Sequence, residues 1–102
     1  MDAFHALAEP RRRKVVEILV HRGRLSASEI CDEFDVTPQA ISQHLKVLRE
    51  AHVLRMEKKA QQRLYSFNPK AMHQIEVWTA EMGRLWESRL DRLEKSLKEE
   101  QA

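Results

Sequence analysis

Glycine and proline are scarce in this chain, with two and three residues among 102. Few positions are therefore free for long irregular loops, and regular elements joined by short turns are expected. Cysteine occurs once, as Cys31. No disulfide can form within the chain, and the thiol fits a reducing compartment. No apolar run approaches the roughly 18 residues of a membrane helix. The first residues lack the charged-then-apolar pattern of a secretory signal, so a cytoplasmic location is expected. The histidines are His5, His21, His44, His52 and His73, and no two stand three or four apart. That excludes a helical His pair for metal. There is no Gly-rich phosphate loop, and no His/Cys/acid cluster supplies nucleophile, base and orienter. Neither an enzyme nor a bound cofactor or metal is expected.

What remains is one domain's length with a modest core and 33% charged residues. Net charge is only +2, but it is unevenly placed. Pro10–Arg24 holds six basic residues and one acid, whereas Ser26–Val36 holds four acids and no base. Thr37–Asn68 holds six basic residues against Glu50 and Glu57. Local basic surface is what a nucleic-acid footprint requires. The Arg11-Arg12-Arg13-Lys14 run taken alone reads as ordinary solvated surface.

A first short helix takes in Phe4, Leu7 and Ala8. A second, after Pro10, runs through Val15, Val16, Leu19 and Val20 to about Arg22, with Gly23 as its stop. These form a segment over 1–22. Residues 26–50 read as a helix-turn-helix. Ser26 and Glu29 have the spacing of a capping box, and Ala27, Ile30, Cys31 and Phe34 make an apolar stripe. Thr37-Pro38 then opens a second helix, with Thr as N-cap and Pro at the first helical position. Its inner stripe is Ile41, Leu45 and Leu48; its outer face carries Gln39, Ser42, Gln43, Lys46 and Arg49. Gln suits adenine edges, Ser several bases, and Lys and Arg guanine or phosphate. A polar face with an apolar back suits a major groove. His44 lies at the inner edge and reads as a packing or phosphate group more than a base reader. Cys31, on the apolar stripe, reads as core and not as a redox switch.

After Ala51 the apolar period shortens toward two. Val53–Lys58 and Arg63–Phe67 read as a hairpin within 53–68, with a polar, basic tip at Lys59–Gln62. A basic hairpin behind a recognition-type helix is a wing. Asn68-Pro69 opens the last helix, 69–98. Met72, Ile75, Trp78, Met82, Trp86, Leu90, Leu93 and Leu97 follow at spacings of three and four. This stripe is too long for one small core, and a second copy of the chain is its simplest cover. The fold class expected is mainly α with a small β-hairpin: a winged helix-turn-helix with a long C-terminal dimerisation helix.

The chain resembles the ArsR-type winged-helix transcriptional regulators over nearly its whole length. The resemblance rests on FHALAEPRRRKVVEIL, on VTPQAISQHLKVLREA and on RLYSFNP after the wing. It implies a homodimeric repressor on a partly palindromic double-stranded DNA operator. By position, Thr37, Gln39, Ser42, Gln43, His44 and Lys46 would fall on the recognition helix, and Lys58, Lys59, Gln61 and Arg63 on the wing. The first and last helices would form the dimer interface, with Phe4, Leu7, Ile75, Trp78, Met82, Trp86, Leu90 and Leu93 as its residues. The metal-sensing members' Cys-x-Cys pair is replaced here by Ser26-Ala27-Ser28, so soft thiolate ligands are missing. A second metal site of the family needs several ligands on the last helix, where His73 is the only His. The wing tip lacks the glycine common there. Two other readings stay open: a winged-helix module that docks on protein, and a repressor of the same fold answering a small organic ligand or a thiol oxidant. Trp78, Met82 and Trp86 would line such a ligand's pocket, though core packing is their simpler role.

Overall fold

The computed structural model describes residues 2–101, with side chains for 2–100. The two ends of the expected domain span, Met1 and Ala102, lie outside the described residues. The chain forms two compact units, one reaching Met72 and one beginning at His73.

The first unit opens with α1 (Ala3–Leu7) and α2 (Pro10–Arg22). Asp2 caps α1 by accepting the His5 N–H at 2.8 Å. Glu9 caps α2 by accepting the Arg12 N–H at 3.0 Å, and Pro10 holds the first helical position, where its missing N–H costs nothing. Gly23 ends α2 at φ 88°, with its N–H bonded to Leu19 O at 2.7 Å. A side chain there would be strained, which is why glycine stands at this stop.

Next come β1 (Leu25–Ser26), α3 (Ala27–Cys31), α4 (Pro38–Glu50), β2 (Leu54–Lys59) and β3 (Gln62–Phe67). The capping box forms as its spacing foretells: Ser26 Oγ accepts the Glu29 N–H at 3.2 Å, and the Glu29 carboxylate accepts the Ser26 N–H at 3.0 Å. The sheet is antiparallel in the order β1-β3-β2, with Leu25 opposite Tyr65 and Met56 opposite Tyr65 on the other side. Val15, Leu19, Ile30, Ile41, Leu45, Leu48 and Val53 are essentially sealed from solvent, so α2, α3 and α4 share one core with the sheet's base. Full burial of such side chains contributes about 1.5–3 kcal/mol each.

Several expectations need correction. The sheet has a third strand, β1, which the hairpin reading omitted. Two residues are too few to show an alternation, and Ser26 doubles as the cap of α3. α3 stops at Cys31, before Phe34, so that stripe continues onto a bend. Ala8 is the C-cap of α1, not a helical residue. Val20, placed with the apolar face of α2, is 57% exposed. Cys31, read as core, does pack against the core cluster but is only half-buried.

The second unit is the body of α5 (Pro69–Gln101), whose first turn belongs to the first unit. Asn68 opens this helix by accepting the Lys70 N–H at 3.2 Å. With 33 residues it spans about 50 Å and runs past the expected end at 98. Trp78, Met82, Trp86, Leu90, Leu93 and Leu97 are exposed along it, and Ile75 is half-buried.

Candidate nucleic-acid interface

The interface is built on α4. Thr37 Oγ1 accepts the Ala40 N–H at 3.2 Å, and Pro38 starts the first turn. Ile41, Leu45 and Leu48 fix the buried side. On the opposite side Gln39, Gln43, Lys46 and Glu50 repeat at helical spacing, with Ser42 and Arg49 beside them, all exposed. The C-terminus of α4 closes in a Schellman turn. Val53 N–H reaches Leu48 O at 2.9 Å, His52 N–H reaches Arg49 O at 3.0 Å, and His52 takes φ 60°. Leu48 and Val53 are both fully buried beneath it. Asn68 adds a tie, its Nδ2 donating to His52 O at 2.8 Å. The exit angle from α4 into β2 is thereby set, and with it the position of the wing.

Between α4 and β3 lies an open groove of about 550 Å³, lined by Gln39, Ser42, Gln43, Lys46, Arg49 and Glu50 from the helix and by Arg63 and Tyr65 from the strand. Arg63 and Tyr65 share a face of β3 because alternate strand residues do. The wing pairs Lys58 with Arg63 and Lys59 with Gln62, leaving Ala60-Gln61 as a two-residue tip. Ala60 takes φ 57°, a conformation that favours glycine and that this chain holds without one. A smaller hollow of about 210 Å³ at the tip is lined by Lys58, Ala60, Gln61 and Arg63.

Six of the residues picked from the sequence thus come together in the groove: Gln39, Ser42, Gln43, Lys46, Arg49 and Arg63. Lys58 and Gln61 adjoin Arg63 at the tip. Thr37 is exposed but engaged as a cap, and Lys59 is exposed outside both hollows. His44 is not brought to this face. Its side chain is 16% exposed, and Nδ1 lies 3.9 Å from Glu9 Oε2, without a hydrogen bond. Two lining residues escaped the sequence reading. Glu50 stands four residues after Lys46 and was legible by that spacing; Tyr65 read only as a strand residue.

The surrounding charges are partly spent within the fold. Arg22 pairs with Glu33, and Arg24 with Glu57 at 2.8 Å. Arg12 Nε donates to Ala6 O at 2.6 Å, tying α2 to α1. Of the basic run, Arg11, Arg13 and Lys14 remain exposed. Burial acts to raise the Glu9 carboxyl, but the Arg12 N–H bond, the nearby His44 ring and the Arg11 N–H and Arg12 guanidinium outweigh it and hold it below its ordinary value. Glu29 is held low by the Ser26 N–H and hydroxyl. A separate hollow of about 360 Å³ between α3 and α4 is lined by Cys31 and Ser42 among others. Among the described residues no three His, Cys, Asp or Glu side chains gather as a metal site, and no helix is long and apolar enough to cross a membrane.

A family model described as a helix-turn-helix domain matches residues 7–57. The chain is similar to the transcriptional repressor SdpR of Bacillus subtilis (strain 168), 31% identical over 77 residues that cover 76% of this chain and 84% of that protein. It is 33% identical over 84 residues to the HTH-type transcriptional regulator Rv2034 of Mycobacterium tuberculosis, covering 82% of this chain and 75% of that one. A crystal structure of an ArsR family transcriptional regulator matches with a TM-score of 0.77 and 32% identity, over 84% of this chain and 88% of that chain.

Proposed function

The chain belongs to the ArsR family of winged-helix transcriptional regulators, and on that premise we propose that it works as a homodimeric repressor occupying a promoter in the cytoplasm. The observation that carries the DNA-reading part is the groove, where amides and a hydroxyl of α4 face the cations of α4 and β3. Gln39, Ser42 and Gln43 read base edges in a major groove. Lys46, Arg49, Lys58 and Arg63 neutralise phosphates, with Gln61 beside them at the wing tip. The chain is a transcriptional regulator and not an enzyme.

Two copies would join through α5, whose apolar stripe from Met72 to Leu97 is exposed except at the half-buried Ile75, a contiguous surface of the kind that marks an interaction site. The expected contact residues are Ile75, Trp78, Met82, Trp86, Leu90 and Leu93, with Phe4 and Leu7 of α1 assisting. A twofold dimer would read two half-sites about one helical turn apart or a small multiple of it. Selecting duplexes from a random pool with the purified protein tests this. A recovered motif with inverted half-sites supports the proposal, and recovery of no motif overturns it.

The proposal includes no transition metal. Ser26 and Ser28 offer hydroxyls where soft ions need thiolates, and Ser26 is already engaged in its capping box. Zn(II) or As(III) added to the protein–DNA complex should leave its affinity unchanged. A second reading has one observation behind it: Cys31 is half-buried and shares its hollow with Ser42 of the reading face. Thiol control would appear as peroxide-induced release of DNA by the wild type that Cys31→Ser abolishes.

A further inference from the structure

The groove floor holds a group that the base-reading role leaves unused. Tyr65 is 7% exposed and packs with the core, yet it lines the groove with Lys46, Arg49 and Arg63. Its hydroxyl has no hydrogen-bond partner among the described residues. Nor is it sealed from solvent, since the sealed unpaired side-chain polar atom among them is His44 Nδ1. A phenol so deeply seated that makes no bond inside the protein leaves a donor facing the groove. Folding gains nothing from that oxygen that phenylalanine would not supply.

The surroundings define what would take this donor. Arg49 stands on the helix wall and Arg63 on the strand wall, with Lys46 one helical turn before Glu50. Two guanidinium groups and a phenol converging on one concavity suit a tetrahedral oxyanion. A hydroxyl on the groove floor cannot project into a major groove as the protruding Gln39 and Gln43 do. Glu50 on the same rim disfavours a second anion, which limits the site to one.

We propose that Tyr65, Arg49 and Arg63 form a clamp for a single backbone phosphate of duplex DNA, with the Tyr65 hydroxyl as its neutral donor. The clamp rests on the DNA-binding reading above and adds to it the anchor that sets the depth of α4 in the groove. Phosphate contacts fix register without carrying sequence information. Tyr65 is therefore a positioning residue and not a reader.

The test compares wild type, Tyr65→Phe and Arg63→Ala on two labelled duplexes, one of random sequence and one selected by the wild type. Affinity is measured across a salt series, and each protein's melting temperature is recorded. Tyr65→Phe should melt with the wild type, because no internal bond is lost. Its affinity should fall by about tenfold to a hundredfold on both duplexes, the scale of a hydrogen bond to a charged group. Its log–log salt slope should stay at the wild-type value, because no cation is removed. Arg63→Ala should flatten that slope by about one unit. Unchanged affinity in Tyr65→Phe overturns the clamp and leaves the DNA reading standing. So does a loss confined to the selected duplex, or one accompanied by a flatter slope or a lower melting temperature. If the wild type binds neither duplex, the DNA reading falls first and the clamp with it.

Discussion

At Ser26 one residue serves two elements: its backbone pairs with Leu64 in the sheet while its hydroxyl caps α3. Ser26→Ala keeps the strand but orphans the Glu29 N–H. It should destabilise the fold by about 1 kcal/mol, read as a lower urea midpoint. Glu29 closes the same box, and its carboxyl is held below its ordinary value chiefly by the Ser26 N–H. A carboxyl depressed in the folded state adds stability above its unfolded value, about 4.3, and that stability is lost as pH falls through the folded value. Glu29→Gln should therefore be less stable than the wild type at pH 7, with the difference shrinking toward pH 3. Urea titrations at both pH values check this; a gap that widens in acid would refute it. The capping box was legible because it depends on two residues three apart. His44 was not: its spacing puts it at a helix edge, but only the packing of α4 beside the start of α2 turns it toward Glu9.

At the scale of elements, the proposed function divides the work of recognition between α4 and the wing. Gln39→Ala or Gln43→Ala should relax the preference at particular base positions, at roughly 1–3 kcal/mol per lost bidentate pair. Lys58→Ala should weaken binding to all sequences and lower the salt slope by about one unit. Competition with single-base variants of the selected duplex separates the two classes. An unchanged preference after both Gln replacements would remove α4 as the reader. The two faces of α4 were visible because a 13-residue helix repeats its pattern enough times to be counted. β1 offers two residues and no pattern. The wing tip was uncertain for a different reason, since Ala60 holds a backbone geometry that its residue type does not advertise.

At the scale of the molecule, α5 presents Trp86 at 60% and Leu97 at 58% exposure. Apolar surface of that extent is costly to leave in water. Trp86→Glu with Leu90→Glu would place charges against a partner helix, which is unfavourable without compensation. The variant should sediment as a monomer where the wild type sediments as a dimer. It should also lose tight binding to a two-half-site duplex while its first unit stays folded by circular dichroism. A wild type that is monomeric at micromolar concentration would end the dimer reading.

Legible from residue types and their spacing were the succession of helices and the wing hairpin, the buried side of α4, the capping box, the Gly23 stop and the family resemblance. All of these rest on residue type and short-range spacing, which chain connectivity enforces. Tertiary structure alone decided that Tyr65 and Glu50 join the groove, that β1 completes the sheet, that Arg22 and Arg24 are spent on Glu33 and Glu57, and that Cys31 is half-open to solvent. The physical reason is that these facts concern residues far apart in the chain. Arg24 and Glu57, or Arg49 and Tyr65, acquire a relation only when the core formed by Val15, Ile30, Leu45 and Leu48 fixes the separation of the elements that carry them.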